Sequence, residues 1–273
     1  MRRAILFLAI TFPAFGQSTF TCISPDDAAK HLIKKVAPDY PLLAEQTRIT
    51  GTVFLQVGID EAGTPSDVQV MSGHPLLVQA AAHAVRKWKY RPFEVDGKLT
   101  TVNTFVAVTF GYYSSDETPE IHAHVLFLTG NLCMAQKKYD EAKRYYEEAI
   151  ELWQDQDKDR PELAESLGNL GYLYAQDKKY DLARDCATRS IFICQKNFKK
   201  AGSGDKALRQ KYGRPIAYQS LMLSKLALQQ NDPVEAGKQC RTVLDFQAFL
   251  SPTDKNSIVP ACQQIISTPA PKN

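Results

Sequence analysis

The sequence predicts an α+β chain in two parts: a small domain with a three-stranded antiparallel sheet and two helices, then an all-helical array. Three observations carry this reading. Gly51 to Asp60 alternates apolar and polar residues, and Thr101 to Phe110 is rich in β-branched and aromatic residues, as strands are. Past residue 120 the apolar period becomes helical and stays so. Two stretches of that second half then repeat one another.

At 273 residues the chain has room for roughly two domains of about 100–200 residues each. Its 44% hydrophobic and 23% charged residues are those of an ordinary soluble globular protein. The first residues read as an export signal over 1–17. Arg2 and Arg3 give a basic start, Ala4 to Phe15 is an apolar run too short to span a membrane, and Ala14-Phe15-Gly16 offers small residues for cleavage. The mature chain is therefore expected in the periplasm without a membrane span. Loss of Arg2 and Arg3 lowers the formal charge of +3 to about +1, which gives no electrostatic case for nucleic acid or an anionic membrane surface.

A lead-in over 18–33 contains a helical stretch from Asp26 to Lys35, which carries on into the domain at 34–112. Two prolines, Pro38 and Pro41, then force an extended segment, and Leu42 to Gln46 reads as a short helix. In the first strand Val53, Leu55, Val57 and Ile59 share one face. Asp60-Glu61-Ala62-Gly63 is a turn with Gly63 available for positive φ, and Ser66 to Met71 returns as the second strand. Leu77, Ala80, Ala81, Ala84 and Trp88 form the apolar stripe of a helix that covers the hairpin. Asp96-Gly97 turns the chain into the last strand, which should pair beside the first and lie at a sheet edge. That edge contains no charge and no proline, so something is expected to cover it: a partner peptide, a second copy of the chain, or the first helix of the array.

The runs Asp39-Tyr40-Pro41, Ile49-Thr50-Gly51-Thr52-Val53, Ile59-Asp60-Glu61-Ala62-Gly63, Val70-Met71-Ser72-Gly73 and Ala84 to Pro92 occur in an order that resembles the C-terminal domain of the TonB energy-transducer family. The resemblance implies a periplasmic domain that takes an extended segment of an outer-membrane TonB-dependent transporter, or of another envelope protein, as an added strand. It implies a contact edge at Val102, Thr104, Val106, Val108 and Phe110, helped by Tyr40 and Pro41. The family's transducers carry a membrane anchor and a long proline-rich spacer, whereas about 20 mature residues precede the domain here. Binding without force transmission is therefore the first expectation. An energy transducer component, anchored in the inner membrane and facing the periplasm, is the alternative.

A polar linker over 113–120 leads to the repeats at 121–266, with a tail at 267–273. Gly130-Asn131-Leu132 through Lys138-Tyr139-Asp140-Glu141-Ala142 matches Gly171-Tyr172-Leu173 through Lys179-Tyr180-Asp181-Leu182-Ala183, and a weaker copy has Ser224 and Ala236 at the same two positions. This resembles the tetratricopeptide family, which implies about three helix pairs plus a cap and a surface for protein partners. The copies are spaced more widely than the usual repeat of about 34 residues, and the excess is expected in longer helices or in loops such as Lys199 to Asp205. The run Glu141, Lys143, Arg144, Glu147, Glu148 reads as a solvated helix face.

Six cysteines would survive export. Cys133 and Cys186 read as small buried hydrophobes. Cys186 and Cys194 lie about 12 Å apart along one helix, beyond the roughly 7 Å limit for a bridge. Cys240, on an inward repeat position, and Cys262, on the capping helix, are the expected disulfide. No nucleophile elbow, phosphate loop or zinc spacing is present, and His122 and His124 have no third ligand nearby, so neither catalysis nor a metal or cofactor is expected.

Overall fold

The computed structural model describes residues 21–111, 118–154, 158–202 and 204–267. The expected leader, most of the linker and nearly all of the tail lie outside those residues. Two compact units divide the chain. The first holds everything up to Thr118 together with Leu128–Ala142, and the second holds Pro119–Phe127 and Lys143 onward. The division therefore falls inside a helix, α4 (Pro119–Ala135), rather than in the linker.

In the first unit the chain starts as a two-residue strand, β1 (Thr21–Cys22). Ser24 then caps α1 (Pro25–His31) by accepting the N–H of Asp27 at 2.9 Å. The helix expected over 26–35 stops at His31. Leu32 turns extended and opens β2 (Leu32–Lys34), which pairs antiparallel with β5 (Lys89–Tyr90), while Arg91 donates its N–H to the His31 carbonyl at 2.7 Å. Tertiary pairing has overridden the local helical tendency there. The short α2 (Leu42–Gln46) forms where expected.

The antiparallel strands β3 (Gly51–Ile59), β4 (Pro65–Ser72) and β8 (Val102–Phe110) make the sheet, with β3 in the centre. The register of β8 on β3 runs unbroken from Gly51↔Phe110 to Ile59↔Val102. A fourth strand extends the expected three: β1 lies parallel to the start of β8, giving the order β1-β8-β3-β4. The β3–β4 turn depends on glycine at Gly63. Its φ is +71°, a side chain there would meet the Tyr90 carbonyl oxygen at 2.1 Å, and its own carbonyl accepts the N–H of Tyr90.

Helix α3 (Pro75–Arg86) covers one face through Leu77, Ala81 and Val85, which pack with the fully buried Val53, Leu55, Val57 and Ile59. Trp88 joins this core and donates its indole N–H to the Val36 carbonyl at 2.9 Å. Asp96 and Gly97, both at positive φ, turn the small hairpin of β6 (Glu94–Val95) and β7 (Lys98–Leu99).

The second unit is helical: α5 (Tyr139–Gln154), α6 (Pro161–Gln176), α7 (Tyr180–Lys200), α8 (Lys206–Gln229), α9 (Pro233–Asp245) and α10 (Pro252–Ser267) follow the start of α4. From α6 onward each helix packs on the next. The extra length between repeats goes mostly into α7 and α8, whose 21 and 24 residues are joined by a short turn. Gly171 brings α6 close to α7 and α8: a side chain there would sit 3.2 Å from Ala183, Cys186 and Met222. In the third copy Ser224 takes the glycine position, and its hydroxyl is satisfied by the Ala236 carbonyl at 3.1 Å. The polar substitution is tolerated because it is hydrogen-bonded.

Candidate protein-binding surface

The sheet has two rims, and they differ in chemistry. The β4 rim carries Pro65 and Asp67 and shifts register twice against β3, devices that discourage a further strand. The β8 rim has neither charge nor proline over its nine residues.

Strand β1 occupies only the start of the β8 rim, with Thr21 beside Val102 and Cys22 beside Asn103. Ile23 donates its N–H to the Asn103 carbonyl at 3.0 Å, so Asn103 turns its main chain outward. Backbone direction alternates along a strand. Phe105 and Ala107 therefore present N–H and C=O to the rim, and Thr109 is turned the same way, whereas Thr104, Val106 and Val108 bond inward to β3. Beyond Asn103 no strand pairs with this side of β8 among the described residues.

The five residues expected at the contact edge have the other parity. Val102, Val108 and Phe110 are core residues, Val106 is half-buried against the same core, and Thr104 is fully buried with its Oγ1 lacking a hydrogen-bond partner among the described residues. On the opposite face Asn103 and Phe105 are buried too, and Thr109 Oγ1 lies 3.1 Å from Thr52 Oγ1. With both faces of the strand covered, the rim can recognise a partner mainly through its main chain.

Tyr40 stands at the far end of β8. It donates its hydroxyl to the Ile49 carbonyl at 2.8 Å and stacks edge-on against Phe110, with ring centroids 5.4 Å apart. Pro41 sets the entry to α2, whose Leu42 and Leu43 are exposed. The Tyr40-Pro41 segment thus braces the end of the strand.

In the second unit the charged run on α5 does two jobs. Arg144 and Glu148 face solvent at 4.0 Å, while Lys143 bonds Asp177 and Glu147 accepts the Tyr174 hydroxyl at 2.6 Å, tying α5 to α6 and the turn after it. A groove lined by Gln154, Leu163, Arg189, Phe192, Ile193 and Lys196 leaves the Phe192 ring 67% exposed. His122 and His124 lie on α4, and burial holds His124 below the usual imidazole range. No group of three potential metal ligands occurs among the described residues.

All six cysteines are thiols in the structure. Cys240 and Cys262 are fully buried in one apolar cluster with Ala217 and Val243. Hydrogen bonding from Cys262, aided by Ser224 against the effect of burial, pulls the Cys240 thiol down to about 7, and Cys262 is pushed up. Burial raises Cys186 to about 11 and Cys194 to about 12. The sequence reading missed the approach of Cys22 to Cys133, whose sulfurs are 2.6 Å apart within the first unit. It also missed β1. The only local signal for that strand is the β-branched Thr21 and Ile23 around Cys22, too short a run to show alternation.

Residues 36–112 match the family model for the Gram-negative bacterial TonB protein C-terminal, and residues 123–196 match that for the tetratricopeptide repeat. The chain joins a TonB C-terminal domain to tetratricopeptide repeats. Protein tonB2 of Pseudomonas aeruginosa is 45% identical over 58 residues, covering 20% of this chain and 22% of that protein. Protein TonB of Vibrio cholerae is 35% identical over 78 residues, covering 28% of this chain and 32% of that protein. The chain thus spans about a fifth to a third of these relatives' length. The crystal structure of BtubC from P. vanneervenii aligns over 59% of this chain and 71% of its own at a TM-score of 0.32 and 14% identity, a likeness that carries no argument. Both matched families are built for protein–protein interaction, and no helix among the described residues is long and apolar enough to cross a membrane.

Proposed function

We propose that this chain is an exported, periplasmic protein-binding adaptor of TonB type. It takes an extended segment of an outer-membrane TonB-dependent transporter, or of another envelope protein, as a strand added to β8. The reading is carried by one observation: Phe105 and Ala107 turn their main chain to a rim that, among the described residues, has no strand beyond Asn103 and none of the blunting devices seen on β4. Main-chain hydrogen bonds would supply affinity. The residues engaged are then Phe105 and Ala107 through their backbone, with Val102, Thr104, Val106, Val108 and Phe110 holding the strand in place. The tetratricopeptide array offers a second protein surface, for which the groove at Phe192 is the candidate.

Photo-cross-linking in intact cells tests this. A photoreactive residue at position 107 is expected to yield an adduct with an outer-membrane transporter, and one at position 67, on the opposite rim, is not. Equal adducts from both positions would refute the rim. An anchored transducer component is the second reading, favoured by the similarity to the two TonB proteins.

A further inference from the structure

We infer that Cys22 and Cys133 are joined by a disulfide that ties the lead-in strand to the first unit and keeps the opening end of the β8 rim closed. The second half of this inference rests on the rim being the binding edge; the first half does not.

Three observations converge on the pair. The sulfurs lie 2.6 Å apart, about half an ångström from the covalent distance of about 2.05 Å. The Cys22 thiol also reaches the Thr129 carbonyl at 3.8 Å, one helical turn before Cys133, so it rests against that face of α4 rather than touching it at one atom. The main chain around Cys22 is fixed independently: the residue pairs with Asn103, the next residue bonds the Asn103 carbonyl, and Ser24 caps α1. Neither cysteine needs to move its backbone far for the bond to form. No third metal ligand joins them among the described residues, which leaves oxidation as the chemistry this contact suits.

The two thiols are separated by 111 residues of sequence, so the bond would staple the front of the chain across the whole domain. Formation requires an oxidant, here a disulfide-bearing thiol–disulfide exchanger. Cys22, the less buried of the two, loses its proton and attacks one sulfur of the exchanger's disulfide, releasing one thiol. Cys133 then loses its proton and displaces the second, so two protons and two electrons end on the exchanger's two thiols. The hydrogen bond with Cys133, and after it burial, pushes Cys22 far up from the usual thiol range, which makes the uncatalysed exchange slow near neutral pH.

The consequence for binding is geometric. With β1 held on Val102 and Asn103, an incoming strand can pair only from Phe105 onward. Reduction would free Thr21 to Ile23 to leave and would lengthen the usable rim.

The test uses the full chain with oxidised glutathione as exchanger, then alkylation, non-reducing digestion and mass mapping. The expected products include a linked peptide pair containing Cys22 and Cys133, lighter by two hydrogens, with Cys186 and Cys194 alkylated. It should resist about a tenfold higher ratio of reduced to oxidised glutathione than any adduct on Cys186. Recovery of Cys22 and Cys133 as alkylated or glutathione-capped thiols overturns the disulfide. Hydrogen exchange at Thr21 to Ile23 reads the second half: reduction should speed exchange at least tenfold in the native chain and have no effect in Cys22→Ser. A linked pair whose reduction leaves that exchange unchanged overturns the closing of the rim while the bond stands. Neither readout uses a partner, so failure here is separable from failure of the adaptor reading.

Discussion

Ile23 donates its main-chain N–H to the carbonyl of Asn103, and this one bond fixes the side to which every β8 residue turns its backbone. From it follow the outward groups of Phe105 and Ala107 and the inward groups of Thr104 and Val106. The same bond shows that the start of the rim is already taken by the chain's own lead-in.

Gly63 carries two constraints at once, its positive φ and its approach to Tyr90. Gly63→Ala is expected to destabilise the domain by at least about 2 kcal/mol, since neither the backbone angle nor the 2.1 Å approach to a carbonyl can be relieved by a rotamer. Thermal unfolding should show a drop of roughly 5–10 °C in the corresponding transition.

Tyr40 is placed as a brace. Tyr40→Phe should cost about 1 kcal/mol for the bond to Ile49 and leave partner affinity unchanged. A variant that melts normally yet binds at least tenfold more weakly would show that the hydroxyl meets the partner.

Cys240 and Cys262 remain our proposed second disulfide. In the reduced chain both thiols are fully buried, so each is expected to alkylate only once the chain is unfolded. On oxidation both should disappear from the alkylation map together. Cys240 found free in the oxidised chain removes the pair.

His124 gives the second unit a pH response of definite sign. Burial lowers its folded pKa below the ordinary 6.5, with Arg160 and Lys211 acting the same way and Glu162 opposing. As pH falls through 6.5 the unfolded chain takes up this proton before the folded one does, so stability is lost from there down to the folded pKa. His124→Gln should flatten the decline in denaturant midpoint between about pH 7 and pH 5.5. An unchanged slope would assign it to other groups.

Much of this architecture is legible in the sequence because its signals are local. The alternation of Val53, Leu55, Val57 and Ile59, the Asp60–Gly63 turn and the two Gly-to-Ala repeats each lie within about a dozen residues. The short strands have no such signal, since Thr21 becomes a strand only by lying beside Val102, and Leu32 only by lying beside Tyr90. Contacts across 111 residues, like that of Cys22 with Cys133, leave no trace in spacing. The strand of the candidate site was legible but its parity was not. Both faces of β8 are buried, so side-chain pattern cannot say which main-chain groups meet the rim.

The most direct test of the central claim is the affinity of the full chain for a synthetic peptide copied from an extended periplasmic segment of an outer-membrane transporter of the same cell. It is measured for the native chain, Ala107→Pro and Val106→Pro. The Ala107 N–H faces the rim and the Val106 N–H faces β3, so the two prolines act in different places. Ala107→Pro is expected to stay folded and lose about tenfold or more in affinity, the worth of one or two main-chain bonds. Val106→Pro should damage the β3–β8 ladder and lower the melting temperature. A folded Ala107→Pro chain that binds the peptide as tightly as the native one would contradict the account and move the binding site to the helical array.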